Sequence, residues 1–223
     1  MLTLPAYYKA LVFDMDGTMI HNKPYHDAAW VEFCNRHSVH IELESFCKAY
    51  TGKTNAVILE MIFGSGLSTE QILAYESEKE LIYRELYAPH FKLIQGLPEL
   101  LQSAKQLQIL LAVGTSAPVV NVDFVLHKGA IFHFFDTIVH SAMVSQGKPS
   151  PEIFLKAAEL LHIQPTECMC FEDSFAGIEA SRAAGMYTIG IASEQSKHTL
   201  LQAGAHEAYS DFTEFYLHYS QNT

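Results

Sequence analysis

The sequence is poor in cysteine and in positive charge. Its 223 residues include only four cysteines, and these form no C-x-x-C pair. This usage excludes a disulfide-stapled scaffold and a zinc site built from cysteine pairs. Acidic residues outnumber basic ones by 25 to 14, for a formal charge of −11. The chain therefore lacks the electrostatic footprint of a DNA- or RNA-binding protein, and we expect no nucleic-acid partner.

Long apolar runs and a secretion signal are also missing. No apolar run approaches the roughly 18 residues that a membrane span requires. The first residues, MLTLPAYYKALVFD, contain neither a basic segment nor a long apolar one before a cleavage site. We therefore expect a cytoplasmic protein that binds no membrane.

Several common nucleotide and metal motifs do not occur. The dinucleotide loop G-x-G-x-x-G, the zinc motif H-E-x-x-H and the nucleophile elbow G-x-S-x-G are absent. Gly52-Lys53-Thr54 imitates the end of an ATP-binding P-loop, but that motif requires a glycine where Cys47 stands. The sequence therefore predicts no ATP site.

The sequence does contain an alternation of strand and helix patterns. The apolar runs ALVF, ILLAV, CMCF and TIGIA end abruptly in polar residues, which is typical of strands buried on both faces. Helical spacing lies between them, and Ser150 and Ser174 are placed as N-caps of two of these helices. Repeated strand–helix units predict an α/β fold whose parallel sheet is covered by helices on both sides.

One long segment interrupts this alternation. Residues 23–93 contain helical patterns, such as TEQILAYESEKELIYRELY, and no buried-strand run. We interpret 23–93 as an inserted small α-helical cap domain. Residues 1–22 and 94–223 then form the core domain that carries the sheet.

Reactive residue types follow the ends of the predicted strands. Asp14 and Asp16 follow ALVF, Thr115 follows ILLAV, and Glu172 and Asp173 follow CMCF. Ligands bind beyond the carboxyl ends of parallel strands, so we expect these side chains to converge there. Converging carboxylates need a cation, and oxygen ligands without histidine or cysteine favour Mg²⁺. An aspartate at a strand end is by itself often a turn residue, but the ordered set indicates a site.

Four segments carry a resemblance to a known family. FDMDGT, VGTSAP, GKPSPEIF and FEDSFAGIEASRAAGM are similar to the motifs of the haloacid dehalogenase-like (HAD) hydrolase superfamily. With the helical insertion after the first strand, the chain resembles the branch of β-phosphoglucomutase-like phosphatases. The resemblance implies a Rossmann-like core, a Mg²⁺-dependent mechanism through a phosphoaspartyl intermediate, and a small phosphorylated metabolite as the substrate.

The chemistry of phosphoryl transfer gives these residues individual roles. A phosphate dianion repels nucleophiles, so Asp14 can attack phosphorus only where positive charge, including the fixed cation Lys148, offsets that repulsion. The Thr115 hydroxyl and the Ser116 backbone N–H are expected to donate hydrogen bonds to the transferring oxygens. Asp16 is expected to protonate the leaving oxygen and then to take a proton from the hydrolytic water.

The resemblance also implies the metal ligands. Asp14, the backbone carbonyl of Asp16, and Asp173 are expected to coordinate Mg²⁺, while Glu172 either joins them or orients a water on the metal. Displacement of halide, the reaction in the superfamily's name, requires neither Mg²⁺ nor an acid to protonate the leaving group. In that reaction Asp16 and the pair Glu172-Asp173 would have no function, so we expect phosphate ester hydrolysis instead.

Substrate specificity is expected to lie mainly in the cap. The candidate substrate contacts are His26, Gly52, Lys53, Thr54, Asn55 and Lys79 in the cap, and Ser116 in the core. By resemblance, His26 and Lys79 match positions that the mutase uses to link cap closure to its catalytic acid. Asn55 stands where the mutase has a phosphate-binding arginine, and Val119 where it has an asparagine, so both weaken the mutase assignment. Lys53 replaces that arginine only in part.

Alternatives stay open for the cap and for the activity. His26 is also interpreted as a simply packed or surface histidine, and Lys79 as one half of a surface ion pair. The leading hypothesis is a Mg²⁺-dependent phosphatase of small metabolites such as sugar phosphates. The alternatives are a hexose phosphate isomerase of the β-phosphoglucomutase type and a non-enzymatic protein that binds a phosphometabolite. We expect a monomer or a weak dimer.

Overall fold

Strands and helices alternate along the described chain, which is residues 2–50 and 54–220 of a computed structural model. The chain divides into a core unit, Met1–His21 with Lys92–Thr223, and a cap unit, Asn22–Phe91. The sequence-based division placed the cap at 23–93. Two of the predicted substrate contacts, Gly52 and Lys53, lie outside the described residues.

A parallel sheet lies at the centre of the core unit. Its strands are β1 (Ala10–Phe13), β2 (Leu110–Gly114), β3 (Thr137–Val139), β4 (Cys168–Glu172), β5 (Tyr187–Ile191) and β6 (Glu207–Tyr209). They lie in the order β3-β2-β1-β4-β5-β6, and every neighbouring pair is parallel. The predicted α/β class with a parallel sheet is confirmed. The four runs recognised in the sequence are the four inner strands, and the short edge strands β3 and β6 were not predicted.

Ten α-helices accompany these strands within the described residues. They are α1 (Lys23–Arg36), α2 (Leu43–Tyr50), α3 (Asn55–Phe63), α4 (Thr69–Tyr87), α5 (Leu97–Gln106), α6 (Val119–Lys128), α7 (Glu152–Leu161), α8 (Phe175–Ala183), α9 (Lys197–Gln202) and α10 (Phe212–His218). Ser174 caps α8 as predicted, since its Oγ accepts the Gly177 N–H at 3.0 Å. The prediction of Ser150 as the cap of α7 is wrong, because Pro151 occupies the cap position and the helix begins at Glu152.

Apolar side chains cover both faces of the sheet, because successive strand residues point to opposite sides. On one face, Val12 and Cys170 pack in a cluster with Phe154 of α7. The Phe13 ring, one residue further along β1, stacks on the Phe171 ring with centroids 4.8 Å apart. Burying a side chain of this size contributes roughly 1.5–3 kcal/mol. The carboxyl edge of the sheet is therefore supported by a packed interior on both sides.

Strand register fixes the level at which the site forms. Phe13 of β1 pairs with Val113 of β2 and with Phe171 of β4. The residues that follow Phe13 and Phe171 are Asp14 and Glu172, so their side chains leave the sheet at one edge. The Asp14 N–H donates to the Phe171 carbonyl at 3.0 Å, which continues the pairing by one residue.

The cap unit is built from α1–α4, as the helical patterns predict. Trp30 of α1 and Tyr83 and Tyr87 of α4 are buried, and α1 packs along α4. A capping box of Ser68 and Gln71 opens α4, which explains where this 19-residue helix begins. None of the helices in the described part of the chain is long and apolar enough to cross a bilayer.

Candidate active site

The backbone turns sharply just beyond β1. Asp14 follows the strand, and Gly17 has a φ of +82°, in the left-handed region that favours glycine. The Gly17 N–H donates to the Ile20 carbonyl at 2.9 Å and closes the turn. A Cβ on Gly17 would lie 2.1 Å from Asp173 Oδ2. Glycine is therefore required here both by the backbone angle and by the close approach of a carboxylate.

Three carboxylates of the core unit converge at this edge of the sheet. Asp14, Glu172 and Asp173 each offer an oxygen, and these oxygens lie within 4.8 Å of one another. Asp14 is 6% exposed and Glu172 is fully buried. The Thr18 hydroxyl donates to Asp173 Oδ1 at 3.2 Å and holds that side chain in place. The structure thus brings together three acids that the sequence assigned to one site.

Lys148 supplies a buried positive charge to the same cluster. Its Nζ lies 2.5 Å from Asp14 Oδ1 and 2.5 Å from Glu172 Oε1. Only 8% of its side chain is exposed. A single ammonium does not balance three carboxylates, so the cluster carries excess negative charge at this point.

Burial and mutual repulsion govern the protonation of these groups. Burial, assisted by Glu172, raises the pKa of Asp14 to about 7, although Lys148 acts in the opposite direction. Burial, followed by repulsion from Glu172 and Asp14, also raises the pKa of Asp173. Burial alone would lower the pKa of Lys148, but Asp14 and Glu172 outweigh it and raise that pKa. Lys148 therefore keeps its proton, while the two aspartates resist ionisation.

The donor set fits a hard divalent cation. All three convergent groups are carboxylates, the ligand type that Mg²⁺ and Ca²⁺ prefer over histidine and cysteine. Burial raises the pKa of Asp14, and repulsion from Glu172 raises it further; a bound cation would favour the ionised carboxylate. The carboxylate of Asp16 also raises the pKa of Asp14. The backbone of Asp16 forms a bridge with Ile20 within the turn.

The loop after β2 carries the predicted hydrogen-bond donors. Thr115 is buried, and its N–H donates to the Val139 carbonyl of β3 at 3.0 Å. The Thr115 hydroxyl accepts the Ala117 N–H at 3.1 Å, so its own proton can be donated elsewhere. Ser116 lies between these two residues and is exposed. Thr115 thus anchors the loop to β3 and holds the backbone on the far side of Ser116 through Ala117.

Glu172 uses both of its carboxylate oxygens. Its Oε1 contacts Lys148, and its Oε2 accepts the Asp173 N–H, the Ser174 N–H and the Ser174 hydroxyl, each at 3.0 Å. A Cβ on Gly177 would lie 1.8 Å from Glu172 Oε1, so α8 approaches the carboxylate very closely. The sequence left two roles open for Glu172, as a metal ligand or as a residue that orients a water on the metal. These four donors favour the orienting role.

The cap unit holds a polar cluster of its own. Lys79 Nζ lies 2.7 Å from His26 Nδ1 and 2.9 Å from Glu80 Oε1, and the Asn55 amide donates to Glu80 Oε1 at 2.8 Å. Lys79 is 2% exposed and Glu80 is 5% exposed. The alternative of Lys79 as a surface ion pair is therefore wrong. Thr54 begins α3 as its N-cap, accepting the Val57 N–H at 3.5 Å.

His26 is neutral in this cluster. An ammonium has only donors, so Lys79 donates to Nδ1. The other ring nitrogen, Nε2, lies 3.3 Å from the side-chain nitrogen of Asn22. Burial, with repulsion from Lys79 and Lys23, lowers the pKa of His26 to about 3 despite the nearby Glu80. The ring stacks on Tyr83 with centroids 3.8 Å apart. His26 is therefore packed against Tyr83 and hydrogen-bonded to Lys79, and its role in substrate binding stays a prediction.

Sequence reasoning missed two partners of these clusters. Glu80 was not singled out, although a buried lysine requires a carboxylate and Glu80 is next to Lys79. The charged segment ESEKE is typical of the solvent-exposed face of a helix. Only the structure shows that Lys79 is buried and therefore needs a carboxylate partner. Thr18 belongs to the FDMDGT motif, but its hydroxyl contact with Asp173 follows from a turn that the sequence alone does not show.

The chain is similar in sequence to a family of hydrolases and to several named enzymes. A family model described as haloacid dehalogenase-like hydrolase matches residues 8–185. Fructose-1-phosphate phosphatase YqaB of Escherichia coli is 30% identical over 186 residues, covering 82% of this chain and 96% of that protein. β-Phosphoglucomutase of Bacillus subtilis is 31% identical over 195 residues, covering 84% of each chain.

A solved structure has the same fold over nearly the whole chain. The crystal structure of a HAD hydrolase of family IA, variant 3, from Entamoeba histolytica superposes with a TM-score of 0.85 at 33% sequence identity. The superposition covers 92% of this chain and 94% of the other. Both the sheet and the helical insertion therefore have counterparts in known proteins.

Proposed function

Because the chain belongs to the haloacid dehalogenase-like hydrolases, we propose that it is a Mg²⁺-dependent phosphatase that hydrolyses small phosphorylated metabolites through a phosphoaspartyl intermediate on Asp14. The observation that carries the proposal is the Lys148 ammonium, 2.5 Å from both Asp14 and Glu172 within a cluster of three carboxylates. A buried carboxylate beside a fixed cation suits attack on an anionic phosphate ester.

The reaction follows from the chemistry of these side chains. The Asp14 carboxylate attacks phosphorus, a new O–P bond forms, and the bond from phosphorus to the substrate oxygen breaks. Asp16 gives its proton to that leaving oxygen, so an alcohol departs. Asp16 then takes a proton from water, which attacks the aspartyl phosphate, releases inorganic phosphate and restores Asp14. Lys148, Thr115 and Ser116 hold the phosphoryl group through charge and hydrogen bonds.

The site also has suitable groups for Mg²⁺. Asp14, the backbone carbonyl of Asp16, and Asp173 would hold the ion, and Glu172 would orient this shell through its bonds to Asp173, Ser174 and Lys148. When bound, Mg²⁺ neutralises negative charge on the carboxylates and on the phosphoryl oxygens. The excess of carboxylates over ammonium groups in the cluster supports this assignment.

Similar proteins support a sugar phosphate or a related metabolite as the substrate. One relative is named fructose-1-phosphate phosphatase, and another from Thermotoga maritima is named phosphorylated carbohydrates phosphatase. We assign the choice of substrate to the cap residues His26, Asn55 and Lys79, with Gly52, Lys53 and Thr54. Asn55 donates to Glu80 rather than supplying positive charge, which favours substrates with a single phosphate. The cytoplasmic location expected from the sequence stays a prediction.

A hexose phosphate isomerase is the second candidate. The contact of 2.7 Å between Lys79 and His26, and the 31% identity to β-phosphoglucomutase, favour it. Asn55 and Val119 argue against it, since they replace the phosphate-binding arginine and the asparagine that the mutase has at these positions. Incubating glucose 1-phosphate isomers with a catalytic amount of hexose bisphosphate separates the two candidates. Glucose 6-phosphate as the product would support the isomerase, and inorganic phosphate alone would support the phosphatase.

The replacement Asp14→Asn tests the nucleophile. We expect kcat for phosphate release to fall by at least about 10³-fold, because an amide cannot form the aspartyl phosphate. The assay measures inorganic phosphate from a panel of sugar, polyol, nucleotide and glycolate phosphates in the presence of Mg²⁺. Asp123→Asn, an exposed change in α6, is the matched control and should keep wild-type activity. A fully active Asp14→Asn enzyme would exclude the proposed mechanism.

A further inference from the structure

The loop that carries Lys148 is exposed although the Lys148 ammonium is buried. Ser145, Gln146 and Gly147 all lie at the surface. A Cβ on Gly147 would meet no atom within 4 Å, so side-chain packing does not hold the loop there. Lys148 nevertheless reaches two carboxylates at 2.5 Å. Another interaction must therefore fix the backbone from which this side chain extends.

A single carboxylate in the first turn of α7 contacts this loop. Glu152 Oε1 accepts the Ser145 N–H and Glu152 Oε2 accepts the Gln146 N–H, each at 2.8 Å. The Ser145 hydroxyl lies 3.0 Å from Oε1 and 2.9 Å from Oε2. The backbone N–H groups of Ser145 and Gln146 lower the pKa of Glu152, so these are hydrogen bonds to an anion, the stronger kind.

Helix α7 itself is firmly anchored. Ile153 and Phe154, which follow Glu152, are buried in the cluster that covers one face of the sheet. The Phe154 ring also lies beneath the Lys148 ammonium, with Nζ 4.8 Å from the ring centroid. The same turn of helix thus contacts the Lys148 ammonium through Phe154, and the backbone of Ser145 and Gln146, just before Lys148, through Glu152.

We propose that Glu152 is a positioning residue that fixes the Ser145–Gln146 backbone so that Lys148 reaches Asp14 and Glu172. The inference rests on the proposed function, in which Lys148 offsets the charge of the transferring phosphoryl group. A shift of about 1 Å in a reacting or charge-stabilising group can lower a rate by about 100-fold. Glu152 acts only through Lys148 and touches no reacting atom.

The test is a double-mutant cycle on kcat for phosphate release. Glu152→Ala removes every bond from this carboxylate to Ser145 and Gln146, and we expect kcat to fall by about tenfold or more when Lys148 is present. In a Lys148→Ala background, the same change should alter kcat by less than about twofold, because the group that it positions is gone. Glu152→Gln keeps one acceptor oxygen and should lie between wild type and Glu152→Ala.

Glu159→Ala is the matched control, since Glu159 is an exposed carboxylate on the same helix and bonds only to Lys156 among the contacts described. It should leave kcat unchanged in both backgrounds. Where turnover of Lys148→Ala falls below detection, the cycle is measured on the affinity for inorganic phosphate. Hydrogen exchange of residues 144–149 adds an independent readout, which should quicken in Glu152→Ala and not in Glu159→Ala.

The outcomes separate this inference from the proposed function. Equal losses in both Lys148 backgrounds, or no loss in either, would overturn the positioning role. An inactive wild type, or full activity of Lys148→Ala, would overturn the proposed function instead. If Glu152→Ala does not fold, Glu152→Gln carries the same cycle, because it removes the negative charge and one of the two acceptor oxygens and keeps the side-chain size.

Discussion

A Cβ on Gly177 would lie 1.8 Å from Glu172 Oε1 and 1.9 Å from its Cδ, far inside van der Waals contact. Gly17 shows the same relation to Asp173 at 2.1 Å. Both glycines bring backbone up to a carboxylate of the cluster, so the acids lie in a space that a methyl group would fill. At Gly177 the backbone is helical with a negative φ, which an alanine would tolerate. The need for glycine at this position therefore comes from Glu172 alone.

Gly177→Ala should therefore impair the site more than the helix. The added methyl group must displace Glu172 from Lys148 and from its three other donors, and such overpacking costs about 1–3 kcal/mol of stability. We expect kcat/KM to fall by about tenfold or more, since Lys148 loses one of its two carboxylate partners. Activity with Mg²⁺ and the thermal unfolding midpoint are measured on the same samples.

Gly147→Ala is the control for this change. It places the same methyl group in the loop next to Lys148, where nothing lies within 4 Å of it. Its activity should stay within about twofold of wild type. If Gly147→Ala and Gly177→Ala lose activity to the same extent, the close approach to Glu172 is not the reason why position 177 requires glycine.

At this scale, the residues of the site were predictable where a motif or a strand end marked them. Asp14, Lys148, Glu172 and Asp173 were assigned to one site from their order along the sequence, and they lie together in the structure. Their catalytic roles stay predictions. Glu152 was not predicted to support the site, because its bonds to the preceding loop depend on a fold-back that no local pattern encodes.

At the scale of elements, prediction depended on the length of each apolar run. The inner strands contain four or five residues and are buried almost throughout, so their apolar runs stand out. The edge strands contain only TIV and EAY, which are too short and too mixed in polarity to be separated from loops. The start of α7 was misplaced because Ser150 and Glu152 both suit a helix start, and Pro151 between them decides it.

The helices of the cap also hold a half-buried histidine, His26, whose titration should affect stability. The folded-state pKa of His26, about 3, lies below its ordinary value of 6.5. Between these values the unfolded chain binds a proton that the folded chain does not. The contribution of His26 to stability is therefore fully present above pH 6.5 and is lost progressively as the pH falls toward 3. Among the charged side chains nearby, Lys79 and Lys23 lower the pKa of His26, and Glu80 raises it.

Urea unfolding of wild type and His26→Gln between pH 7 and pH 4 checks this expectation. Glutamine does not titrate, so the free energy of unfolding of the wild type should fall more steeply with decreasing pH, by on the order of a few kcal/mol over the range. His198→Gln, a change of an exposed histidine in α9, should follow the wild-type curve. Parallel curves for wild type and His26→Gln would mean that His26 titrates normally in the folded protein.

At the scale of the whole molecule, the prediction of a β-phosphoglucomutase-like haloacid dehalogenase-like hydrolase is confirmed. The family model covers most of the chain, and the solved relative from Entamoeba histolytica aligns over nine-tenths of it. Three of the four motifs lie at the ends of β1, β2 and β4, and the fourth leads into α7, so the parallel sheet brings their residues together. The physiological substrate was not predictable in the same way, since it depends on cap side chains such as Asn55, whose partner Glu80 appears only in the folded chain.

The charge balance of the core unit predicts how the molecule responds to Mg²⁺. Three carboxylates face one ammonium in a buried cluster, so the folded state should bind the cation while the unfolded chain, with its acids dispersed, does not. At a concentration 100 times its Kd, such a ligand adds about 2.7 kcal/mol, which raises the unfolding midpoint of a chain of this size by about 5 °C or more. Differential scanning calorimetry in MgCl₂ and in EDTA measures this difference.

Asp173→Asn distinguishes a cation site from a general salt effect. Removing one carboxylate should abolish most of the stabilisation by Mg²⁺, because the ion loses a ligand. In EDTA the same variant should unfold at or above the wild-type midpoint, since it relieves repulsion among uncompensated buried charges. Asp123→Asn removes an exposed carboxylate from α6 and should keep the full response to Mg²⁺. If Asp173→Asn is instead less stable than wild type in EDTA and responds to Mg²⁺ as wild type does, the Asp173 carboxylate holds the fold together through the Thr18 hydroxyl and takes no part in cation binding.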